Sequence, residues 1–301
     1  MYEYIFIHHY SSFFPYHQYT PFATLLSSIF QQAQQHIIDV FITNYHLHSM
    51  FALIHNFYLL AAGDFFLEFI SRVDRGYLEK PAEISDGWLQ QEFYRCVRHT
   101  SLAPSIEYIS QHIRLKQIRS MTALDIWKSA FFVIDKEPNL WTIFSPIMMR
   151  RYEQIFSILM NMKTTSLALE RFWITQCSLS KELDLIRDQE KKDTLRSVQK
   201  AINQTNLLRV KIQGFLGTLQ NFYFLHVLDK HYQNLMTKMK EVSCFDDILN
   251  NHAAFVDDLC RNFFITGNDR GIKQCVDELM ACANRFLGVQ VGAWLGGLWE
   301  L

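Results

Sequence analysis

The stretch 147–176, IMMRRYEQIFSILMNMKTTSLALERFWITQ, decides the fold class. Tyr152, Ile155, Phe156, Leu159, Met162 and Leu169 recur at helical spacing and make one apolar face. Neither Gly nor Pro occurs from Ile147 to Gln213, nor from Thr218 to Thr266, and all six prolines lie at or before Pro146. Long runs without breakers suit long helices, because Gly and Pro inside a helix cost about 1 and about 3 kcal/mol relative to Ala. Gly (11) and Pro (6) together are roughly half the usual share, which argues against a turn-rich all-β chain. The expected fold is all-α: packed long helices with little or no sheet.

Composition narrows the function. Of 301 residues, 49% are hydrophobic and 15% aromatic, ample for a sizeable core. The net charge is -1, so no global basic field exists to hold nucleic acid, and none is expected as a partner. Six cysteines at 96, 177, 244, 260, 275 and 282 include no C-x-x-C, and they read as reduced, buried thiols. The opening MYEYIFIHHY has no basic n-region or cleavage site and reads as an irregular start or a fragment boundary. The apolar run from Met50 to Ile70 is long enough to span a membrane, but it carries His55, Asn56, Asp64 and Glu68, which are costly in hydrocarbon. Buried helices, and no membrane partner, are expected.

Along the chain, residues 1–21 read as an irregular lead-in, 22–287 as one helical domain and 288–301 as an apolar Gly/Trp-rich tail ending in a buried turn. Helices are predicted over 22–62, from Asp64 (as cap) through Arg72, and over 87–98, 104–117, 147–176, 205–241 and 245–264. Lys80–Asp86 is a linker. Residues 120–146, with FFVID, are the least helical and suit a short extended piece. The charged stretch 180–200 pairs Glu182 with Arg187 and Asp188 with Lys192, and reads as an exposed helix. Gly267–Gly271 reads as a turn.

Motifs for chemistry are sparse. Asp246-Asp247 and Asp257-Asp258 could hold magnesium only if carboxylates converge from facing helices. Ser243-Cys244-Phe245-Asp246 reads instead as a capping box. His46, His48 and His55 have no acid at ligand spacing and no H-E-x-x-H. No nucleophile elbow or phosphate-binding glycine loop occurs, so no cofactor and no catalytic residue is expected. What remains is a helical scaffold that acts by presenting a surface.

Three stretches resemble the C-terminal region of the gamma-tubulin complex proteins. FYLLAAGDFFLEF (57–69) matches the family's Leu-Leu-Gly-x-Gly-(Asp/Glu)-Phe at Gly63, Asp64 and Phe65, with Ala61 replacing the first glycine. The stretch from Arg151 to Trp173 looks like its K-Y-x-x-I-F-x-F-L-L-x-L-K helix. LQNFYFLHVLDKHYQNL from Leu219, followed by FDDILNNHAAFVDDL (245–259), matches at Leu219, Gln220, Tyr223, Val227, Asp229, Asp246, His252 and Phe255. The order and spacing of the three stretches carry the resemblance, over roughly 22–285. Departures are Glu137-Pro138-Asn139-Leu140 for Trp-Pro-Leu, Gly214 and Gly217 for helix formers, and Tyr232 for Trp. The stretch IFQQAQQHIIDVF (29–41) looks closest to the fifth and sixth family members.

The resemblance implies packed helices that bind one gamma-tubulin. It further implies a role with other gamma-tubulin complex proteins in microtubule nucleation, in cytoplasm at a centrosome or spindle pole, without catalysis. It implies too that the chain lacks the N-terminal half that makes lateral contacts. Gly63, Asp64, Phe65, Phe66, Gln220 and Tyr223 are the expected contact residues. The competing account makes Phe65, Phe66, Leu219, Tyr223, His252 and Phe255 simply core, with His252 a buried link between helices. Two other readings stay open: a magnesium-dependent all-α enzyme on Asp246 and Asp247, and a helical adaptor for another protein.

Overall fold

A 40-residue helix, α6 (Pro146–Leu185), packs against the long helix that follows it and against two further helices near the C-terminal end. The computed structural model describes residues 16–79, 85–115, 127, 132–135, 137–185, 192–267 and 270–297. Before α6 come α1 (Tyr16–Thr43), α2 (Leu47–Phe57), α3 (Gly63–Glu79), α4 (Asp86–His99) and α5 (Ile106–His112), then strands β1 (Ile113–Leu115) and β2 (Phe132–Ile134). After it come α7 (Lys192–Asn221), a π-helical segment (Phe222–Asp229), α8 (Lys230–Lys240), α9 (Phe245–Asn262) and α10 (Arg270–Gly297). Among the described residues the fold is all-α with one small antiparallel β pair, in which Ile113 faces Ile134 and Leu115 faces Phe132.

The periodicity of α6 becomes burial: Tyr152, Ile155, Phe156, Leu159, Met160 and Leu169 are all fully enclosed. Phe57, at the end of α2, is equally enclosed and its ring meets those of Phe65, Phe66, Phe93 and Phe132. Phe66 and Phe132 in turn reach Phe156 on α6. Mostly edge-to-face pairs at 5–6.5 Å join α2, α3, α4, β2 and α6 into one core. Gly76 lets α4 approach α3, since a methyl there would lie 2.6 Å from the Trp88 ring.

His252 of α9 is the polar link. It is 1% exposed; its Nδ1 lies 3.0 Å from the Ile143 carbonyl and its Nε2 2.9 Å from the Tyr152 hydroxyl. A carbonyl only accepts, so Nδ1 carries the proton and Tyr152 donates to Nε2. Burial holds the imidazole down to about 4, although the bond to Ile143 pulls the other way. Burial also pushes the Tyr152 hydroxyl well above its ordinary value. His55, stacked at 3.6 Å on Tyr232 where the resembled family carries Trp, is likewise lowered by burial to about 4, against the pull of Asp229.

The structure revises several boundaries. Helix α1 begins at Tyr16, inside the expected lead-in, whose residues 1–15 lie outside the described ones. The helix expected over 22–62 breaks after Thr43 at His46, in the left-handed region (φ 47°), and again after Phe57 at Leu60 (φ 56°). Leu59 and Leu60 are buried there, so packing outweighs the local cost of the turn. The Met50–Ile70 run is therefore two helices, and among the described residues no single helix is long and apolar enough to cross a membrane. The helix expected to Gln117 stops at His112 because Ile113–Leu115 pair with β2, the extended piece foreseen in 120–146. The stretch 180–200 contains the end of α6 and the start of α7, while Arg187 and Asp188 lie outside the described residues. Helix α10 continues to Gly297, so the start of the expected tail is helical. Cys96 and Cys260 are buried, but Cys275 and Cys282 are exposed on α10, against the expectation of buried thiols.

Two outcomes test this core. Phe57→Ala is expected to cost about 3–5 kcal/mol in denaturant unfolding, as for other fully enclosed aromatic rings. His252 takes up its proton near 6.5 when unfolded but only near 4 when folded. Stability is therefore full above about pH 6.5 and falls as pH drops toward 4, by roughly 3 kcal/mol from this group. His55 adds to the same slope, and unfolding curves of His252→Asn across pH 4–7 should show a shallower dependence than the parent.

Candidate functional site

The corner at the start of α3 divides into an outer and an inner half. Gly63 and Asp64 are exposed, as is Leu67 (46%), whereas Phe65 and Phe66 have no exposed surface. The two rings pack inward on Phe57, Phe69 and Phe93. They shape the corner from below and are core, as the competing account had it. Asp64 accepts the backbone N–H of Ser101 at 2.6 Å and its hydroxyl at 3.0 Å, which ties α3 to the turn after α4. Partial desolvation raises the carboxyl, but the Ser101 and Phe65 bonds outweigh it and hold the group below its ordinary value. Gly63 has open space around it, so no packing inside the chain demands a glycine there.

The second expected contact region divides the same way. Tyr223 is 1% exposed and stacks on Phe263 at 4.2 Å, and burial pushes its hydroxyl up to about 12. Gln220 is half-buried and its amide donates to the Met162 carbonyl of α6 at 3.3 Å. Phe66 reaches Phe156 and Gln220 reaches Met162, so both regions rest on α6 within about 9 Å of axis.

What faces outward near Gln220 is a low apolar strip. Leu207 (61%), Val210 (51%), Phe222 (40%) and Leu225 (63%) are exposed, with Gly214 and Thr218 between them at helical spacing. A methyl added to Gly214 or Gly217 would meet nothing, so these glycines flatten the surface rather than admit a neighbouring helix. Arg209 lies 4.7 Å over the Trp173 ring and pins α7 to α6 beside the strip. The π-helical segment shifts the register between α7 and α8, and such segments are frequent at functional sites. Motif comparison favoured the buried Tyr223 and passed over Phe222 and Leu225. The signal available was two glycines in a helix, bracketed by apolar residues off the core face.

The aspartate pairs serve the fold. Asp247, not Asp246, closes the capping box of α9, accepting from Ser243 N–H and hydroxyl and from Cys244 N–H at 2.9–3.1 Å. Those bonds, that from the Ser243 backbone foremost, hold its carboxyl low. Asp257 pairs with Arg151, and Asp258 with Arg261 and, at 3.7 Å, His231. Among the described residues no three His, Cys, Asp or Glu side chains group as a metal site.

Comparison with known proteins agrees with this surface-presenting architecture. Residues 47–296 match the family described as gamma tubulin complex component C-terminal. Gamma-tubulin complex component 3 of Drosophila melanogaster is 22% identical over 85% of this chain and 27% of its own length. Gamma-tubulin complex component 3 of Arabidopsis thaliana is 20% identical over 87% of this chain and 31% of its own. Spindle pole body component 98 of Dictyostelium discoideum is 17% identical over 88% and 32%. The chain thus spans about a third of the length of the curated relatives it matches.

The Asp64 tie is testable in isolation. Asp64→Ala should speed hydrogen exchange of the Ser101 amide about tenfold, the scale of one charge-assisted hydrogen bond, with helix content by circular dichroism unchanged.

Proposed function

Because the chain belongs to the gamma-tubulin complex component family, we propose that it binds gamma-tubulin and takes part in microtubule nucleation. The observation that carries this reading is the family match over 47–296, laid on a rigid helical core with a flat apolar strip turned outward. Its contact surface comprises Gly63 and Asp64 at the α3 corner, Gln220, and the neighbouring Phe222 and Leu225. Phe65, Phe66 and Tyr223 hold that surface in shape from beneath.

The action is positional. A scaffold that holds several gamma-tubulin molecules in register raises their effective concentration and offsets the entropy cost of gathering a seed, with no covalent step. Other gamma-tubulin complex proteins are the partners through which copies would be arrayed, at a microtubule-organising centre in the cytoplasm. A magnesium-dependent enzyme on Asp246 and Asp247 is the weaker reading, since Asp247 commits its Oδ2 to the α9 cap.

Purified chain mixed with gamma-tubulin should co-sediment as a complex. Phe222→Glu combined with Leu225→Glu should weaken binding at least about tenfold, as removal of a hot-spot pair does, with far-UV circular dichroism unchanged. No binding by the folded parent would overturn the reading, and full affinity in the double variant would move the interface off the strip.

A further inference from the structure

Helix α10 has two apolar faces, and the body of the protein covers only one. Met280 and Ala283 are buried and Val276 and Leu287 half-buried in the core, and Asn284 bonds to Thr165 and Asn161 of α6. The second face is a heptad seam. Ile272, Cys275, Leu279, Cys282, Phe286 and Val289 follow one another at alternating steps of three and four, as the a and d positions of a coiled coil do. Ile272 (51%), Cys275, Leu279 (48%), Cys282 and Val289 (66%) are exposed, while Phe286 is half-buried, its ring edge-on to Phe172 of α6 at 5.9 Å, and offers the seam only its outer side.

The edges of the seam say what can cover it. On one edge stand Val276 and Ala283, already packed in the protein's own body. On the other, open to solvent, stand Glu278 and Arg285, one heptad apart. Within the chain Glu278 takes a bond only from Gln274 one turn away, and Arg285 reaches the Cys282 sulfur; neither has an oppositely charged partner among the described residues. A parallel copy would set each open edge against a covered one. An antiparallel copy sets the two open edges together.

We propose that a second copy of this chain docks on the seam, α10 against α10, antiparallel about a two-fold axis that crosses the helix between Met280 and Ala281. That axis puts Ile272 opposite the second copy's Val289, Cys275 opposite its Phe286 and Leu279 opposite its Cys282, so every layer is apolar. The same axis brings Glu278 to within about 3 Å, along the helix, of the second copy's Arg285, and symmetry makes the pair twice. The seam is therefore complementary to itself in shape and in charge, in one orientation only. This inference does not depend on the gamma-tubulin reading, because it uses a different helix and needs no tubulin.

Sedimentation equilibrium of the full 301-residue chain should show a monomer–dimer equilibrium. E278R or R285E alone should weaken it about tenfold, since each replaces two attractions with two repulsions. The double swap E278R/R285E should restore it to within about twofold, because it restores opposite charges across the axis. Mild oxidation of the L279C variant should yield a cross-link between the introduced thiol of one copy and Cys282 of the other, mapped by mass spectrometry. A chain that stays monomeric with native circular dichroism would overturn the proposal. So would a dimer indifferent to the charge swaps, or a cross-link joining Cys282 of both copies, which marks parallel pairing.

Discussion

The structure depends on the contact between α6 and the ring cluster that begins at Phe57. Phe57 sits where α2 ends, and its four aromatic neighbours come from α3, α4 and β2. Phe66, Phe132 and Tyr58 carry the cluster onto Phe156 of α6. Elements far apart in sequence are thereby fixed by rings that fit one another in few ways. Edge-to-face packing in a dry interior is directional as well as hydrophobic, so the cluster sets orientation and not merely proximity.

Polar links then orient what the rings bring together. His252 joins α9 to α6 and to the Ile143 carbonyl; Asp64 holds the turn after α4; Asp74 takes the Trp127 indole at 3.1 Å and pairs with Arg171 on α6. Each link uses a charged or titratable side chain that sequence reading could mistake for chemistry. Burial explains the imidazole held near 4 and the tyrosine hydroxyls pushed upward. The exposed large apolar residues lie mainly on α1 (Phe22, Leu25, Leu26, Ile29, Phe30 and Ile37), on α7 and its π-helical continuation, and on α10. Most aromatic rings lie inside and hold the shape of the core, while Phe222 and the aliphatic residues around it stay at the surface.

The clearest elements in the sequence were those whose period is strong and whose cap is local. The apolar face of 147–176 and the absence of breakers after Pro146 rest on properties of a few successive residues, whereas the α4 cap at Ser85, whose hydroxyl accepts from Trp88 N–H, is equally local but fell inside the expected linker of residues 80–86. The cap of α9 was legible as a motif but displaced by one residue, because the side chain that reaches back belongs to Asp247. The breaks at His46 and Leu60 were not legible. Histidine is enriched in the left-handed region but only among a few per cent of residues, and leucine is not; at Leu60 the burial of Leu59 and Leu60 makes that geometry worthwhile. The same holds for β1, where Ile113–Leu115 would continue a helix but for a partner strand that enters from Phe132.

By itself the sequence determined the helical class, the long second half and the family, because periodicity, breaker placement and motif order are properties of the chain read in line. Which member of a motif faces a partner was decided only in three dimensions. Gly63 and Asp64 are neighbours of Phe65 and Phe66, yet the first two lie on the surface and the second two have none. Tyr223 is enclosed while Phe222 beside it is exposed. Similarity to a family marks a stretch as important without saying whether it is important for packing or for contact. A helix turns about 100° per residue, so only the position of neighbouring elements determines which of two adjacent side chains is buried.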